Sequence, residues 1–320
     1  MEKIKKILIY RPEHIGDYIV SLPAIRSLRE NFPKAKITIV IGPWNKKLAE
    51  ATQYIDEMII FEDPLVERKI GYKKIFKKSV GIFKKFKYFF NDLDKDYDLL
   101  VIFSRRKFTK FIIPFFKAKK KLCGVYFEKQ DELERDRCLR VIFPLKIKYF
   151  KEVDFFESLE DGLIVSQLLN NYKKKEIKNV VIHPFSPLKE KNWPIENWIK
   201  LIKKLSRYHM KFFVIGTFED KEAIKNFCGD CKIPAINLAG KLNLIQLKKF
   251  IGKCDLFIGP SSGPMYLADM SNTPIISLIG PESPPEWNPS KKKDVVLRCN
   301  SVSKISVEEV FNEVKNIFKN

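Results

Sequence analysis

Several loops of this chain gather the residue types that handle protons and phosphate. The first, Arg11-Pro-Glu-His-Ile-Gly16-Asp17, follows an apolar run and precedes a helical pattern. A glycine-bearing loop between a strand and a helix brings backbone N–H groups near a ligand. Asp17 stands at its mouth as a carboxylate able to accept a proton, and the same position suits a helix N-cap. Spacing alone leaves both roles open. No GxGxxG spacing occurs there, so the dinucleotide fingerprint is missing. The second loop, His183-Pro-Phe-Ser-Pro-Leu-Lys-Glu-Lys191-Asn-Trp193-Pro194, sets Ser186, Lys189 and Lys191 ahead of a helix that Pro194 begins. A hydroxyl and ammonium groups beside a helix N-terminus make a phosphate cradle, although two lysines on a loop can also be a solvated pair. The third, Gly259-Pro-Ser-Ser-Gly263-Pro264, offers hydroxyls and a pre-set helix start. It reads as a pyrophosphate site or a tight strand-to-helix turn. Gly280-Pro281-Glu-Ser adds a further loop of the same kind.

Metal chemistry finds little purchase. The six cysteines include one close pair, Cys228 and Cys231, and the histidines at 14, 183 and 209 are scattered. A zinc site wants a second pair nearby, so the pair reads as incidental. Asp92-Leu-Asp94 and Asp96-Tyr-Asp98 match a DxD pattern but precede a buried strand and read as polar residues at a helix end.

The elements that must position these loops follow from periodicity. Strands are expected at Lys6–Tyr10, Lys36–Ile41, Met58–Phe61, Leu99–Phe103 and Leu122–Phe127, with a helix over Ser21–Asn31 that has Pro23 in its first turn. The rhythm restarts with strands at Val180–Ile182, Phe212–Ile215, Ile236–Leu238, Leu256–Ile258, Ile275–Leu278 and Val295–Leu297. Helices such as Asp220–Phe227 and Ile195–Ser206 lie between them. Alternation of this kind specifies parallel sheets with helices on both faces. The expected fold is α/β, with two Rossmann-like doubly wound domains facing a cleft, residues 1–172 and 173–320, joined by Asn170–Lys178. A terminal amphipathic helix spans Val307–Phe318, with Ser306 and Glu309 as its capping box. Ligands of such sheets bind outside the carboxyl ends of the strands.

The chain carries 60 basic and 39 acidic residues, a net charge of +21. Residues 66–121 alone hold 18 basic and 5 acidic residues, a concentration that a uniformly lysine-rich background does not produce. Polyanionic partners are favoured. Lysines alternate there with Tyr72, Phe76, Phe83, Phe86, Tyr88, Phe89 and Phe90. A helix over Ile75–Phe90 can lie on an anionic membrane surface or pack on the sheet as an ordinary amphipathic helix. No RNP motif, zinc finger or helix-turn-helix is present, so no specific nucleic acid is expected. The longest apolar runs, such as Leu99–Phe103, fall far short of the roughly 20 residues of a membrane span. The short apolar run Ile7–Tyr10 is a strand rather than a secretory segment. A cytoplasmic protein is expected, with peripheral contact at the inner face of the inner membrane.

The order and spacing of these motifs resemble glycosyltransferase family 9, the ADP-heptose:lipopolysaccharide heptosyltransferases, over nearly the whole length. The resemblance rests on Gly16-Asp17 with Leu22-Pro23-Ala24-Ile25-Arg26, Phe32-Pro33, His183-Pro184, Lys191-Asn-Trp193-Pro194 and Gly240-Lys241. It continues through Ser262-Gly263-Pro264-Met265, Leu267-Ala268, Thr273-Pro274 and Gly280-Pro281. It implies a GT-B fold and inverting, metal-independent transfer from a nucleoside-diphosphate sugar, ADP-heptose first. The implied acceptor is a lipopolysaccharide core or related phosphorylated glycolipid, and no cofactor beyond the sugar nucleotide is implied. By resemblance Asp17 is the general base, with Arg11, His14 and Gly16 toward the acceptor. Lys191 holds the donor phosphates with Ser186. Glu222, or Glu219 in its place, binds the ribose, and Lys241, Ser261, Ser262, Gly263, Pro264 and Tyr266 face the donor. Two positions depart from the family pattern: Ser261 stands where members carry Asp, and Tyr266 where they carry His. A same-fold transferase using another nucleotide sugar is therefore the first alternative, and a basic nucleic-acid-binding protein the second.

Overall fold

The computed structural model describes residues 4–319 apart from 65, 67–78, 94–95, 108, 127–131, 157, 171–176 and 231–234. The chain divides into two units, Met1–Phe156 and Glu157–Asn320. The first holds a parallel sheet of order β3-β2-β1-β4-β5. Its strands are β1 (Lys6–Arg11), β2 (Lys36–Ile41), β3 (Glu57–Ile60), β4 (Tyr97–Ile102) and β5 (Ala118–Cys123). Ile7, Leu8, Ile9, Ile37, Ile39, Leu99 and Leu100 are fully buried. Helices cover both faces of such a sheet, so its central strands read as unbroken apolar runs.

The first helix runs Ile15–Asn31, starting earlier than the expected Ser21 and leaving Pro23 inside it. His14 is its N-cap, with extended backbone, and accepts the Tyr18 N–H at 3.0 Å. Asp17 therefore lies in the first turn and does not cap the helix. Pro23 is tolerated because a single missing N–H in a long helix forfeits one ladder bond, and packing of Leu22, Ala24, Ile25 and Leu28 at zero exposure outweighs it.

The fifth strand also differs from expectation. It takes in Lys119, Lys120 and Lys121, all exposed, and ends at Cys123, followed by a 3-10 turn over Gly124–Tyr126. Phe127 lies outside the described residues. At a sheet edge one face and one flank meet water, so a lysine run can be a strand. Asp98 on β4 accepts the Lys5 and Lys6 N–H groups at 2.8 and 3.1 Å and the Lys119 ammonium at 2.7 Å. That lysine above all holds its carboxyl down to about 2. The second aspartate of Asp96-Tyr-Asp98 thus ties strands together.

Helix Ser79–Asp92 turns Phe86 and Phe89 into the core against Leu8, Tyr10, Phe61 and Phe116, while Lys84, Lys85, Lys87 and Tyr88 are exposed. Its aromatic side is packed on the sheet, so of the two readings open for this helix the packed one holds for Phe86 and Phe89. Tyr72, Phe76 and the Phe83 side chain lie outside the described residues.

The second unit holds a parallel sheet of order β11-β10-β9-β6-β7-β8. Its strands are β6 (Lys178–Ile182), β7 (Met210–Val214), β8 (Ala235–Asn237), β9 (Leu256–Pro260), β10 (Ile275–Ile279) and β11 (Val295–Arg298). Helix Ile195–Leu205 buries Trp198, Leu201, Ile202 and Leu205 against Val180, Ile182, Phe212 and Val214. The terminal helix Val307–Lys319 carries the expected capping box: Ser306 N–H donates to Glu309 at 2.7 Å and Glu309 N–H to Ser306 Oγ at 3.2 Å. Helix Leu159–Asn170 joins this unit, because Asp161 accepts from Asn243 at 3.3 Å and Gln246 at 2.9 Å. The division therefore falls at 156/157 rather than 172/173, and most of the expected linker lies outside the described residues. Cys228 sits in helix Lys221–Asp230, and Cys231 also lies outside them.

In both sheets the first strand of the unit lies beside the fourth, and the chain winds outward from that pair in both directions. The carboxyl ends of such a pair are where open α/β sheets bind ligands.

Candidate active site

In the first unit the pair is β1 and β4, and the Phe103 N–H donates to the Tyr10 carbonyl across it. Arg11, the last residue of β1, is 1% exposed. Its Nε donates to the Asp17 carbonyl at 2.8 Å, and its Nη2 lies 3.3 Å from Glu134 and 3.8 Å from the Asp17 carboxylate. Its Nη1 lies 3.7 Å from the buried Glu13. The Glu13 carbonyl is pinned by the Trp44 indole at 2.7 Å and the Asn45 amide at 2.8 Å, which fixes the loop. His14 is half-buried beside Trp44, with ring centroids 5.2 Å apart, and Gly16 lies in the first helical turn. Asp17 keeps 23% of its side chain exposed. Burial, with help from Glu13 and Glu134, pushes its carboxyl up to about 6 against the opposing pull of Arg11 and Arg106. The arrangement supplies a partly accessible carboxylate with an appetite for a proton near neutral pH, as a general base requires. Arg11, expected among the acceptor contacts, is enclosed, and its geometry serves Asp17.

In the second unit the pair is β6 and β9. Gly259 allows their loops to approach: a Cβ there would sit 3.0 Å from the His183 Cβ. The buried His183 has Nδ1 3.1 Å from Ser262 Oγ, and burial drives its imidazole down to about 4, so it is neutral at pH 7. Lys191 leaves the turn Lys189–Lys191 and donates through Nζ to the Ser261 carbonyl at 3.1 Å. Ser186 is buried in the same loop, which Asn192 braces by accepting the Ser186 N–H at 2.6 Å and donating to its carbonyl at 3.2 Å. Ser262 caps helix Gly263–Asp269, with Pro264 in its first turn. Tyr266 donates to the Trp287 carbonyl at 2.9 Å and lies 3.1 Å from Ser261 Oγ. The two positions that depart from the family pattern therefore bond to each other as a neutral pair. Glu219 and Lys241 are exposed on the neighbouring loops and Glu222 in the first turn of helix Lys221–Asp230, where it pairs with Lys225 at 3.1 Å. Gly240, before Lys241, has a φ of +67°, and a Cβ there would meet the Phe218 Cα at 3.0 Å. The structure thus gathers Ser186, Lys191, Ser261, Ser262, Gly263, Pro264 and Tyr266 about one strand pair, with Glu219 and Glu222 between β7 and β8 and Lys241 after β8.

A lysine and serines set around a helix start at such a strand pair are groups whose chemistry can hold a phosphate. The sequence profile of glycosyltransferase family 9 (heptosyltransferase) matches residues 152–315, more than half of the chain. The chain belongs to glycosyltransferase family 9. It is 24% identical to the lipopolysaccharide core heptosyltransferase OpsX of Haemophilus influenzae, over 92% of this chain and 85% of that protein. Among solved structures, a family 9 glycosyltransferase from Veillonella parvula shares the fold with a TM-score of 0.78 at 20% identity, covering 100% of this chain and 99% of that one. The Escherichia coli heptosyltransferase WaaC, crystallised with ADP, superposes with a TM-score of 0.69 at 17% identity, covering 98% and 99%. These neighbours carry the GT-B fold expected from the sequence.

For this family 9 glycosyltransferase, motif reading did not single out Glu13, Arg106, Glu134, Arg137 or Trp287 as site residues. Helix Glu134–Val141 reads as a surface helix, since five of its eight residues are charged, yet Glu134 and Arg137 are buried. Their spacing of three, which lets the side chains meet on one helix face, was the available signal. Nothing local marks Trp287, which is reached through Tyr266 from another element.

Proposed function

We propose that this glycosyltransferase moves a heptose-like sugar from a nucleoside-diphosphate sugar, ADP-heptose first, onto a lipopolysaccharide-core or related glycan acceptor, with inversion and without a metal. The observation that carries the reading is the proton-seeking, partly exposed Asp17 carboxylate at the first unit's strand pair. Asp17 takes the proton of an acceptor hydroxyl as that oxygen attacks the anomeric carbon. The bond from that carbon to the diphosphate oxygen breaks, and the electron pair leaves with the nucleoside diphosphate. Negative charge grows on the leaving phosphate and is stabilised by Lys191 and the N–H groups beginning helix Gly263–Asp269, a reading supported by the reach of Lys191 to the Ser261 carbonyl ahead of that helix. The lysine supplies cationic charge of the kind a metal would otherwise bring. Support for the donor and acceptor comes from the named activities of the relatives, OpsX and WaaC. Calorimetric titration with ADP, GDP and UDP, followed by turnover with ADP-heptose, tests it. Tightest binding of ADP and release of ADP in turnover are expected. Tightest binding of UDP or GDP would replace the donor, an outcome to which the neutral Ser261–Tyr266 pair lends weight.

The acceptor is proposed to be a phosphorylated glycolipid met at the inner membrane face. Residues 99–127 contain eight basic residues and no acidic one. Phe111, Phe115 and Tyr126 there are 69%, 64% and 63% exposed, beside exposed Lys107, Lys110, Lys117 and Lys120. Exposed aromatics with a lysine collar suit an anionic bilayer surface. No helix among the described residues is long and apolar enough to cross a membrane. In liposome flotation, binding to anionic vesicles should fall steeply with salt and weaken in a Phe111→Ser, Phe115→Ser variant. Equal binding to neutral and anionic vesicles would refute the contact.

A further inference from the structure

Helix Glu134–Val141 carries into the first unit a set of charges that the reaction above does not use. Glu134 is 1% exposed and Arg137 3%. Arg137 donates to Glu134 through Nε at 2.7 Å and Nη2 at 2.5 Å, and to the carbonyls of Phe103 at 2.5 Å and Gly124 at 3.3 Å. Buried ion pairs are poor instruments of stability, because well-packed apolar residues of similar volume serve as well or better. A full set of them in one corner of a small sheet therefore asks for another role.

The geometry around Arg11 supplies it. Arg11 Nη2 is 3.3 Å from Glu134 Oε1 but 3.8 Å from Asp17 Oδ1, and the second distance is beyond hydrogen-bond range. Its Nε is spent on the Asp17 backbone carbonyl at 2.8 Å. The guanidinium thus grips the helical turn that bears Asp17 while its charge is drawn toward Glu134. A bidentate Arg11–Asp17 pair would instead stabilise the ionised carboxylate and weaken it as a base.

We propose that Glu134 is a positioning residue for Asp17: by accepting Arg11 it stops the guanidinium closing on the Asp17 carboxylate, and so keeps that carboxylate able to take a proton. The inference rests on Asp17 as the base. The charged and titratable groups facing Asp17 are Arg11 from β1, Glu13 from the next loop, Arg106 from the loop after β4, and Glu134 and Cys138 from the helix. Burial pushes the Cys138 thiol up to about 12, so it adds no charge. Arg105 approaches Glu134 at 3.6 Å, and Arg137 completes its coordination. Both neighbouring carboxylates raise the proton affinity of Asp17, in keeping with the geometry.

The test is the pH profile of kcat/KM in Glu134→Gln, which keeps the shape and removes the charge. Arg11 should then move onto Asp17. The acid limb is expected at lower pH than in the wild type, the plateau lower by about tenfold, and ADP affinity unchanged. Glu134→Asp should bring the limb back toward its wild-type position. A folded Glu134→Gln protein with reduced rate and an unmoved acid limb would show a purely structural role and overturn the proposal. Should that variant fail to fold, Arg11→Gln removes the guanidinium through which Glu134 is proposed to act. Its acid limb should move to higher pH, since Arg11 pulls the Asp17 carboxyl down, and an unmoved limb overturns the proposal. Asp17→Asn run in parallel separates the two readings: an acid limb that persists there discards Asp17 as the base, whatever Glu134 does.

Discussion

Asp17→Asn is expected to lower sugar transfer by about 10²–10⁴-fold, the usual worth of a positioned general base, while nucleoside-diphosphate affinity stays near the wild-type value. The amide keeps the shape of the first helical turn and the Arg11 contact to its backbone carbonyl, so a loss of rate cannot be assigned to a displaced loop. The same variant carries a second signature. The Asp17 carboxyl is raised from 3.8 to about 6, mainly by burial. A group whose folded pKa is raised contributes stability that is full below its unfolded pKa and is lost as pH climbs through the folded value. The ionised carboxylate therefore burdens the fold above about pH 6, by at most about 3 kcal/mol at pH 8. Asn carries no such charge, so the variant should melt above the wild type at pH 8, with the gap narrowing toward pH 5. Thermal melts at the two values, beside a turnover assay, check both halves. Wild-type rates in Asp17→Asn would discard the base assignment, and a melting gap independent of pH would discard the raised carboxyl.

Lys191→Ala is the second large effect. Removing one preorganised donor from a developing anion typically costs about 3–4 kcal/mol, or roughly 10²–10³-fold in kcat. The ammonium here reaches the Ser261 carbonyl at the mouth of the β6–β9 pair, so diphosphate affinity should fall together with rate. Calorimetric titration of ADP and single-turnover kinetics measure the two separately. Because His183 is held neutral by burial, the acid limb of the rate should belong to Asp17, and Lys191→Ala should leave its position unchanged while lowering the plateau. Unaltered ADP affinity would remove Lys191 from the donor site.

The doubly wound architecture was legible because parallel strands buried on both faces leave continuous apolar runs, as at Leu99–Phe103 and Ile275–Leu278. Two elements were misread for physical reasons. Pro23 suggested a helix start, but tertiary burial of Leu22, Ala24 and Ile25 carried the helix through it. The strand expected at Leu122–Phe127 left out the lysines of β5, whereas an edge strand keeps water on its flank and accepts them. Among the candidate residues, Asp17, Ser186 and Lys191 were visible because their loops follow strands and carry glycine or proline. Glu134 and Arg137 were not, since a charged helix is ordinarily a solvated one and only long-range packing buries this example. The amphipathic segment ending at Phe90 was legible as a helix, but which partner its rings choose depends on Leu8, Tyr10 and Phe116, which are distant in sequence.

Lys119, Lys120 and Lys121 line the outermost strand of the first sheet. A second copy approaching with this same edge would have to bring its own ammonium row against this one before any backbone pairing could form. The strand is thereby guarded against pairing with its own twin, a safeguard that gains value if copies become crowded on a lipid surface.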